Sequence, residues 1–332
     1  MIGTGNVNMD TKELSINRYN TRKFDEIDAL KGIAIFLVVL GHSIIVYPIN
    51  LHENAICDFL FRWLSSVHMP LFFCISGYCF SYNNKYLSYI VKKIKRIFIP
   101  FLFFNILDMC MRMIFSGIVN NSRGIIDSIK NIIFYGGAYW FLYSLFLIFL
   151  IYPFIYRFIK NSYVKQIGLI VLMIIVDTFL KMPTSLMHWL VFFSIGVLLK
   201  NKLGDKIFTK KDGRNNMCLI VILTMVWMSL IMFQAKVTYL TAIIGIMDIY
   251  FLVNKAFVTQ YFKAYGKYSL QLYLLNGFLL VISRTLVVSI LNINNPIIII
   301  VFNMLVNFYA SYWLIKNICE KLKISKILMG MV

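Results

Sequence analysis

Residues 27–43 read IDALKGIAIFLVVLGHS and open the first long apolar run of the chain. Every residue between Lys31 and His42 is apolar or glycine, as expected of a membrane-spanning helix. In an α-helix these two side chains are about 16 Å apart along the axis and differ by about 20° in direction. One helix face therefore carries a cation at the cytoplasmic edge and a titratable base near mid-membrane, where polar groups are costly. The structural alternative is a snorkelling Lys31 and a His42 that hydrogen-bonds a neighbouring helix.

The composition of the whole chain excludes a water-soluble protein. Of its 332 residues, 60% are hydrophobic and 14% are charged, and the mean hydropathy is +0.76. Soluble domains are about 45–50% apolar and about a quarter charged. The net charge of +19 comes from Lys and Arg clusters between apolar runs. That pattern is typical of the orientation signal of a membrane protein and argues against a nucleic-acid-binding surface.

Ten apolar segments have spanning or near-spanning length, since a span needs about 17–25 residues. They are residues 29–48, 59–81, 94–115, 138–156, 166–180, 186–200, 217–233, 238–253, 268–290 and 296–315. The fifth, sixth and eighth are short, as tilted partners or a re-entrant pair would be. Because lipid offers no hydrogen bonds to the backbone, helices are expected. The predicted fold is an all-α integral membrane protein, a polytopic bundle of about ten transmembrane helices.

The distribution of basic residues predicts the orientation. With the N-terminus inside, 26 of the 33 Lys and Arg residues fall in inside segments and 7 in outside ones. The positive-inside rule then gives an N-in, C-in topology. We divide the chain into a cytoplasmic N-terminal segment (1–26), a transmembrane domain (27–316) and a cytoplasmic C-terminal tail (317–332). The longest outside connection, 116–137, has room for an amphipathic segment but not for a catalytic fold.

Ionisable side chains inside the apolar runs are the first candidates for chemistry. His42 lies in the first span and His68 in the second; for His68 a satisfied buried histidine is an equally good interpretation. At the inner start of the third span, Lys93 and Arg96 are three residues apart and share a helix face. Together with Lys31 they form a cationic cytoplasmic mouth that fits phosphates. The same cluster is also what the positive-inside rule alone produces.

Other intramembrane charges indicate structural roles. Asp108 and Arg112 stand at positions i and i+4 and are predicted to pair. The sequence assigns no partner to Asp177, Asp248 or Arg284. The chain has no Gly-rich phosphate loop, nucleophile elbow or zinc motif. Its six cysteines form no Cys-x-x-Cys pair, so no metal site is predicted.

These residues resemble the membrane acyltransferase 3 family over positions 24–315. The family opens with a basic residue, ten further residues and a histidine, and Lys31 and His42 match that pattern. Four further stretches match in the family's order: 68–78 (HMPLFFCISGY), 93–100 (KIKRIFIP), 139–142 (YWFL) and 265–273 (YGKYSLQLY). Residues 28–32 (DALKG) are most similar to the branch of fucose 4-O-acetylase-like and polysaccharide O-acetyltransferases.

The resemblance implies an integral membrane O-acyltransferase of a bacterial inner, or cytoplasmic, membrane. It implies transfer of acetyl from cytoplasmic acetyl-CoA to a sugar hydroxyl of a surface polysaccharide or lipid-linked glycan. Acetyl-CoA is then a substrate, and no permanently bound cofactor and no metal are expected. The expected partners are the glycan acceptor, the lipid bilayer and proteins of glycan assembly, with no nucleic acid among them.

The resemblance and the residue chemistry together assign the site. Lys31, Lys93 and Arg96 are expected to hold the CoA phosphates. His42 is expected to act as general base or as transient acyl carrier, with His68 in a supporting catalytic role. The candidate pocket residues, for which ordinary packing is the alternative, are Asp28, Ser76, Tyr78, Trp140, Tyr273 and Asn276.

The chain departs from the family pattern at three positions. Lys31 and Lys93 replace arginines, which keeps the charge but loses the bidentate fork. Asn276 stands where many relatives have histidine. Two other functions therefore stay open: a non-enzymatic transporter or flippase for a glycan or lipid intermediate, and a scaffold subunit of a glycan-assembly complex. Acetyl-CoA consumption separates the enzyme from both.

Overall fold

The computed structural model describes residues 5–45, 49, 54–114, 124–179, 185–204, 217–233 and 238–331, with side chains from residue 23 onward. The regular structure of these residues is helical throughout, which confirms the predicted all-α class. The α-helices are α1 (Gly5–Ile44), α2 (Ala55–Ser65), α3 (His68–Tyr78), α4 (Tyr86–Lys93), α5 (Ile99–Ile114), α6 (Ile125–Tyr135), α7 (Trp140–Ile159), α8 (Tyr163–Phe179), α9 (Leu186–Leu203), α10 (Met217–Met232), α11 (Thr238–Val253), α12 (Ala256–Lys267), α13 (Ser269–Arg284), α14 (Pro296–Leu305), α15 (Ser311–Leu314) and α16 (Lys323–Leu328).

Seven helical stretches of the described chain are long and apolar enough to cross a membrane. They are Lys23–Ile44, Ala55–Tyr78, Tyr86–Ile114, Ile125–Ile159, Leu186–Leu203, Ser269–Ile290 and Pro296–Cys319. An eighth arises if α11 and α12, which meet at 109°, are counted as one bent span. The helices α8 and α10 are shorter, at 17 and 16 residues. In the described residues each of the ten predicted segments overlaps a helix, but seven or eight, and not ten, have the length and hydropathy of a span. The chain is a multi-pass membrane protein.

The surface of the bundle is apolar. Large hydrophobic side chains point outward on most spans; Phe179 is 81% exposed and Phe233 is 85% exposed. Such a surface suits lipid and would be costly in water. The interior is a continuous aromatic and aliphatic core, in which Phe73, Phe192 and Phe193 are fully buried.

The first span is central to the bundle, because α1 contacts α2, α3, α11, α12, α13 and α14. Its closest neighbour is α12. The residues of α12 lie between the eighth and ninth predicted spans, where we predicted only a short connection on the inside. The ring of Phe36 packs edge-on against Phe262, and Lys263 pairs with Asp25 at 2.8 Å. Small residues at the crossing let two helix backbones approach, as is common in membranes.

A second close crossing joins α3 and α9. A Cβ on Gly77 would lie 1.9 Å from the Phe193 carbonyl oxygen, and one on Gly196 would lie 1.9 Å from the Cys74 carbonyl oxygen. Phe73 stacks on Trp189 at 5.0 Å. The helices can pack this tightly only because both crossing positions lack a side chain.

Several spans are irregular, which the apolar pattern did not predict. The second span breaks at Ser66 and Val67, where the indole of Trp227 donates a hydrogen bond of 2.9 Å to Ser66 Oγ. π-helical segments interrupt other spans at Ile94–Phe98, Thr285–Ile290, Val306–Ala310 and Ile315–Cys319. Such segments are rare in helices and are frequent at functional sites.

Candidate active site

The structure brings together the two intramembrane histidines that the sequence singled out. His42 lies in the last turn of α1, and His68 is the first residue of α3, directly after the break in the second span. Both side chains are half-buried, and the two imidazoles are close enough to interact electrostatically. The helix break therefore places the second imidazole inside the bundle, beside the first.

The hydrogen bond of His68 fixes its tautomer. Its Nδ1 lies 2.7 Å from the carbonyl oxygen of Leu64. A carbonyl oxygen only accepts, so Nδ1 carries the hydrogen and Nε2 is left with a free lone pair. No hydrogen-bond partner is assigned to His42 within the described part of the chain.

The basic residue of the first span is not a free cation. Lys31 Nζ lies 3.0 Å from Asp28 Oδ1, and the two side chains are 28% and 31% exposed. Asp28, a candidate pocket residue, is thus the partner of Lys31. An anion that reached Lys31 would share it with this carboxylate.

Lys93 lies in an aromatic setting. Its ammonium lies 3.7 Å from the ring centre of Phe149 and 5.3 Å from that of Tyr89, which is cation–π geometry. Arg96 is exposed, lies in the adjoining π-helical segment and interacts electrostatically with Lys93. Among the described contacts Lys31 is joined to Asp28 and Lys93 to Phe149 and Tyr89.

The predicted pocket residues are spread over several helices. The Tyr78 hydroxyl donates to the Gly204 carbonyl at 2.9 Å, and Trp140 packs on Trp189 at 5.3 Å. Tyr273 is buried edge-on against Phe141 at 5.5 Å. These contacts are packing or structural hydrogen bonds, and Ser76 is half-buried on the same helix as Tyr78.

Asn276 differs from the other pocket candidates. It is 3% exposed, and its Oδ1 has no hydrogen-bond partner within the described structure. A buried amide oxygen without a partner is uncommon and calls for an explanation.

Sequence reasoning missed a cavity of about 380 Å³ beside the C-terminal half of α5. It is lined by Asn105, Asp108, Met109, Arg112, Ser128, Asn131, Ile132, Gly137 and Ala138. Asp108 and Arg112 pair at 2.7 Å, which confirms the predicted ion pair. The Asn105 side-chain amide stabilises the cavity wall, because it donates a hydrogen bond to the Phe101 carbonyl and accepts one from the Ala138 N–H.

Sequence reasoning also missed a cluster of polar side chains that joins three helices. Tyr239 donates a hydrogen bond of 2.5 Å to Asp177 Oδ2, and His188 Nδ1 lies 3.3 Å from the same oxygen. These side chains come from α11, α8 and α9, so the cluster joins three helices. Asp248 likewise accepts from the Thr224 hydroxyl at 2.9 Å. In the described residues no three His, Cys, Asp or Glu side chains converge as metal ligands would.

Comparison with known proteins supports the resemblance. A family model described as an acyltransferase domain, Acyl_transf_3, matches residues 24–328. The nodulation protein NolL of Sinorhizobium fredii (strain NBRC 101917 / NGR234) is 30% identical over 131 residues, which cover 37% of this chain and 34% of that protein. The aligned region thus spans about a third of the relative's length. No solved structure matches the chain.

The family match covers most of the chain and includes every predicted site residue. The basic residue and histidine of the first span, the basic element of the third and the late stretch ending at Tyr273 all lie within it. The chain therefore belongs to the Acyl_transf_3 family of acyltransferase domains.

Proposed function

We propose that this protein is an O-acyltransferase of the bacterial cytoplasmic membrane. It would transfer acetyl from cytoplasmic acetyl-CoA to a sugar hydroxyl of a surface polysaccharide or lipid-linked glycan. The family membership supports the acyltransferase class. The distribution of Lys and Arg supports ten spans with both termini inside.

The observation that carries the proposal is that His42 and His68, from two different spans, lie within electrostatic range of each other. Titratable side chains inside a bilayer-spanning bundle are costly to bury, and they often mark functional sites. Nδ1 of His68 is engaged with Leu64, so its Nε2 is available to accept a hydrogen bond from His42. That bond would set the tautomer of His42 and leave its other nitrogen to act on substrate.

The proposed reaction is a direct acyl transfer. The acceptor hydroxyl oxygen attacks the thioester carbonyl carbon while His42 takes the hydroxyl proton. The new C–O bond forms, the C–S bond breaks, and the sulfur leaves as thiolate. The imidazolium then returns the proton to the sulfur, so CoA leaves as the thiol and His42 is neutral again. His42 as a transient acyl carrier would add one step and use the same groups.

The donor and acceptor would reach His42 from opposite faces. Lys31, Lys93 and Arg96 would hold the CoA phosphates at the cytoplasmic side, where Arg can bind a phosphate bidentately. In the proposed topology the α5–α6 cavity opens on the other side. Its amide, hydroxyl and charged lining suits a sugar, whose hydroxyls need both donors and acceptors.

The first test measures ester-linked acetate on the surface glycan of the host. It compares a deletion strain with strains rescued by wild type, His42→Ala and His68→Asn, with the membrane level of the protein checked in each. We expect acetate to be lost on deletion, restored by wild type and absent with His42→Ala. Full rescue by His42→Ala at normal protein level would contradict the mechanism.

The His68→Asn variant separates two roles of this residue. Asparagine places an amide N–H close to the position of Nδ1 and can still donate to the Leu64 carbonyl, but it has no titratable nitrogen. We expect strongly reduced acetylation, because Nε2 is lost. His188→Asn, the same substitution at a half-buried histidine whose contact is also made by Nδ1, is the matched control and should retain acetylation.

A further inference from the structure

The tenth predicted span carries a stripe of buried polar side chains. Asn303, Asn307 and Ser311 follow one another at intervals of four, so they share a helix face. All three are 0% exposed. The amide of Asn307 donates to the Asn303 carbonyl at 2.8 Å and to Ser283 Oγ at 3.4 Å, which directs the stripe toward α13.

Most polar atoms of the stripe have no partner. Both amide atoms of Asn303, Oδ1 of Asn307 and Oγ of Ser311 are buried without a hydrogen bond in the described structure. Across from them, α13 contributes Asn276, whose Oδ1 is also unpaired. Buried polar atoms are almost always paired in native proteins. We call these four residues the polar stripe.

The stripe runs alongside α1. The ring of Phe36 packs edge-on against Phe308 at 5.4 Å. Eight residues before Phe308, Ile300 packs against the cluster that includes Ile44, eight residues after Phe36. The two helices are therefore antiparallel, and eight residues correspond to about 12 Å on each.

The alignment of α1 with the tenth span gives the depth of each polar residue in the membrane. Asn303 lies level with the His42 end of α1, and Ser311 lies about two residues from the level of Lys31. The ninth and tenth spans are also antiparallel, because Ser283 contacts Asn307 and Tyr268 donates to Glu320. Asn276, between Ser283 and Tyr268, therefore falls near the Ser311 level.

We propose that the polar stripe binds the pantetheine arm of the acyl donor. This inference rests on the proposed function. If the CoA phosphates are bound near Lys31 and the thioester lies near His42, the pantetheine arm has to extend between the membrane depths of these two residues. The polar stripe extends over the same depths. In CoA the pantetheine arm carries two amide groups and one free hydroxyl, which would be unpaired in an apolar channel. Asparagine and serine side chains offer donors and acceptors to such groups.

The local backbone supports a binding role. The segment Val306–Ala310, which includes Asn307, is π-helical. A π-helical turn disturbs the regular ladder, and such turns are frequent at functional sites. A purely structural stripe would be expected to pair its own polar atoms across the helices, as Asn307 does with Ser283 and the other atoms do not.

The test compares two ligands on purified full-length protein. CoA contains the arm, and adenosine 3′,5′-bisphosphate contains the nucleotide with two of the three CoA phosphates and no arm. Asn303→Leu and Ser311→Ala should each weaken CoA binding by about tenfold and leave adenosine 3′,5′-bisphosphate binding unchanged. Ser311→Ala changes little volume and keeps the test informative if Asn303→Leu folds poorly. The matched control is Asn317→Leu, an exposed asparagine later in the same span.

The possible outcomes distinguish failure of the polar-stripe proposal from failure of the proposed acyl donor. CoA binding that is equal in wild type, Asn303→Leu and Ser311→Ala would overturn the proposed role of the polar stripe. It would not contradict acetyl-CoA as the acyl donor. Wild-type protein that binds neither CoA nor acetyl-CoA would overturn the proposed donor itself. Equal losses for CoA and adenosine 3′,5′-bisphosphate would show a structural effect and would also reject the inference.

Discussion

Gly32 of α1 and Gly266 of α12 face each other where the two helices cross. A Cβ on Gly266 would lie 1.5 Å from the Asp28 carbonyl oxygen, and one on Gly32 would lie 2.2 Å from that of Phe262. Both contacts are with backbone, which cannot rotate away. The crossing thus fixes the part of α1 that carries Lys31.

We predict that Gly266→Ala destabilises the protein by about 1–3 kcal/mol, because the added methyl forces the two helix backbones apart. The measurement is thermal unfolding in detergent, followed by the fraction of monodisperse protein. Gly168→Ala is the control, since a Cβ there has no neighbour within 4 Å. Equal stability of the two variants would show that the crossing is looser than the structure indicates.

The second prediction concerns the basic element of the third span. Lys93→Ala or Arg96→Ala should raise the KM for acetyl-CoA by about tenfold or more, as expected when a charged hydrogen bond is lost. The KM for the acceptor should change less. Lys92→Ala removes an exposed neighbouring charge and serves as the control for membrane orientation. If all three variants lowered only the amount of inserted protein, the cluster would be a topology signal alone.

The third prediction concerns the α5–α6 cavity. Asn131→Leu and Ser128→Val remove polar groups from its lining. Each should raise the KM for the glycan acceptor by about threefold to tenfold, the range for a neutral hydrogen bond. The KM for acetyl-CoA should stay constant. Lys130→Ala, on the same helix but outside the lining, is the control. An unchanged acceptor KM would place the acceptor elsewhere.

The fourth prediction concerns the cluster that joins α8, α9 and α11. Asp177→Ala and Tyr239→Phe should each lower the free energy of unfolding by about 1–3 kcal/mol, because the part-buried hydrogen bond between the two side chains is lost. The two share one bond, so their effects should not add in the double variant. Thermal unfolding of the three variants measures the coupling. Additive losses would show that the Tyr239–Asp177 bond contributes nothing.

The spacing of residues in the sequence predicted the helical spans and the interactions between side chains of the same helix. The i, i+4 spacing of Asp108 and Arg112 gave their ion pair, and the apolar runs gave the helical spans. The same spacing among Asn303, Asn307 and Ser311 is visible in the sequence, but a stripe inside a strongly apolar run did not stand out. Periodicity shows that residues share a face and not what that face meets.

Relationships between helices were beyond the sequence. Asp177 and Tyr239 are 62 residues apart, and only the packing of three helices brings them together. The break before His68 does have a local cause in Pro70, which has no N–H to bond the carbonyl of Ser66 four residues earlier. The hydrogen bond between Ser66 and Trp227, from a distant helix, could not be predicted from the sequence. Lys31 was expected to be free for phosphate, yet the nearby Asp28 pairs with it, one turn away along the same helix.

The C-terminal helix α16 returns to the start of the third span. The Gln271 amide donates to the Met329 carbonyl at 2.9 Å, and Gly330 packs so closely that a Cβ would lie 2.3 Å from the Arg96 carbonyl oxygen. A fluorescent protein or affinity tag fused behind α16 would therefore be tethered next to Arg96, one of the residues proposed to hold the CoA phosphates.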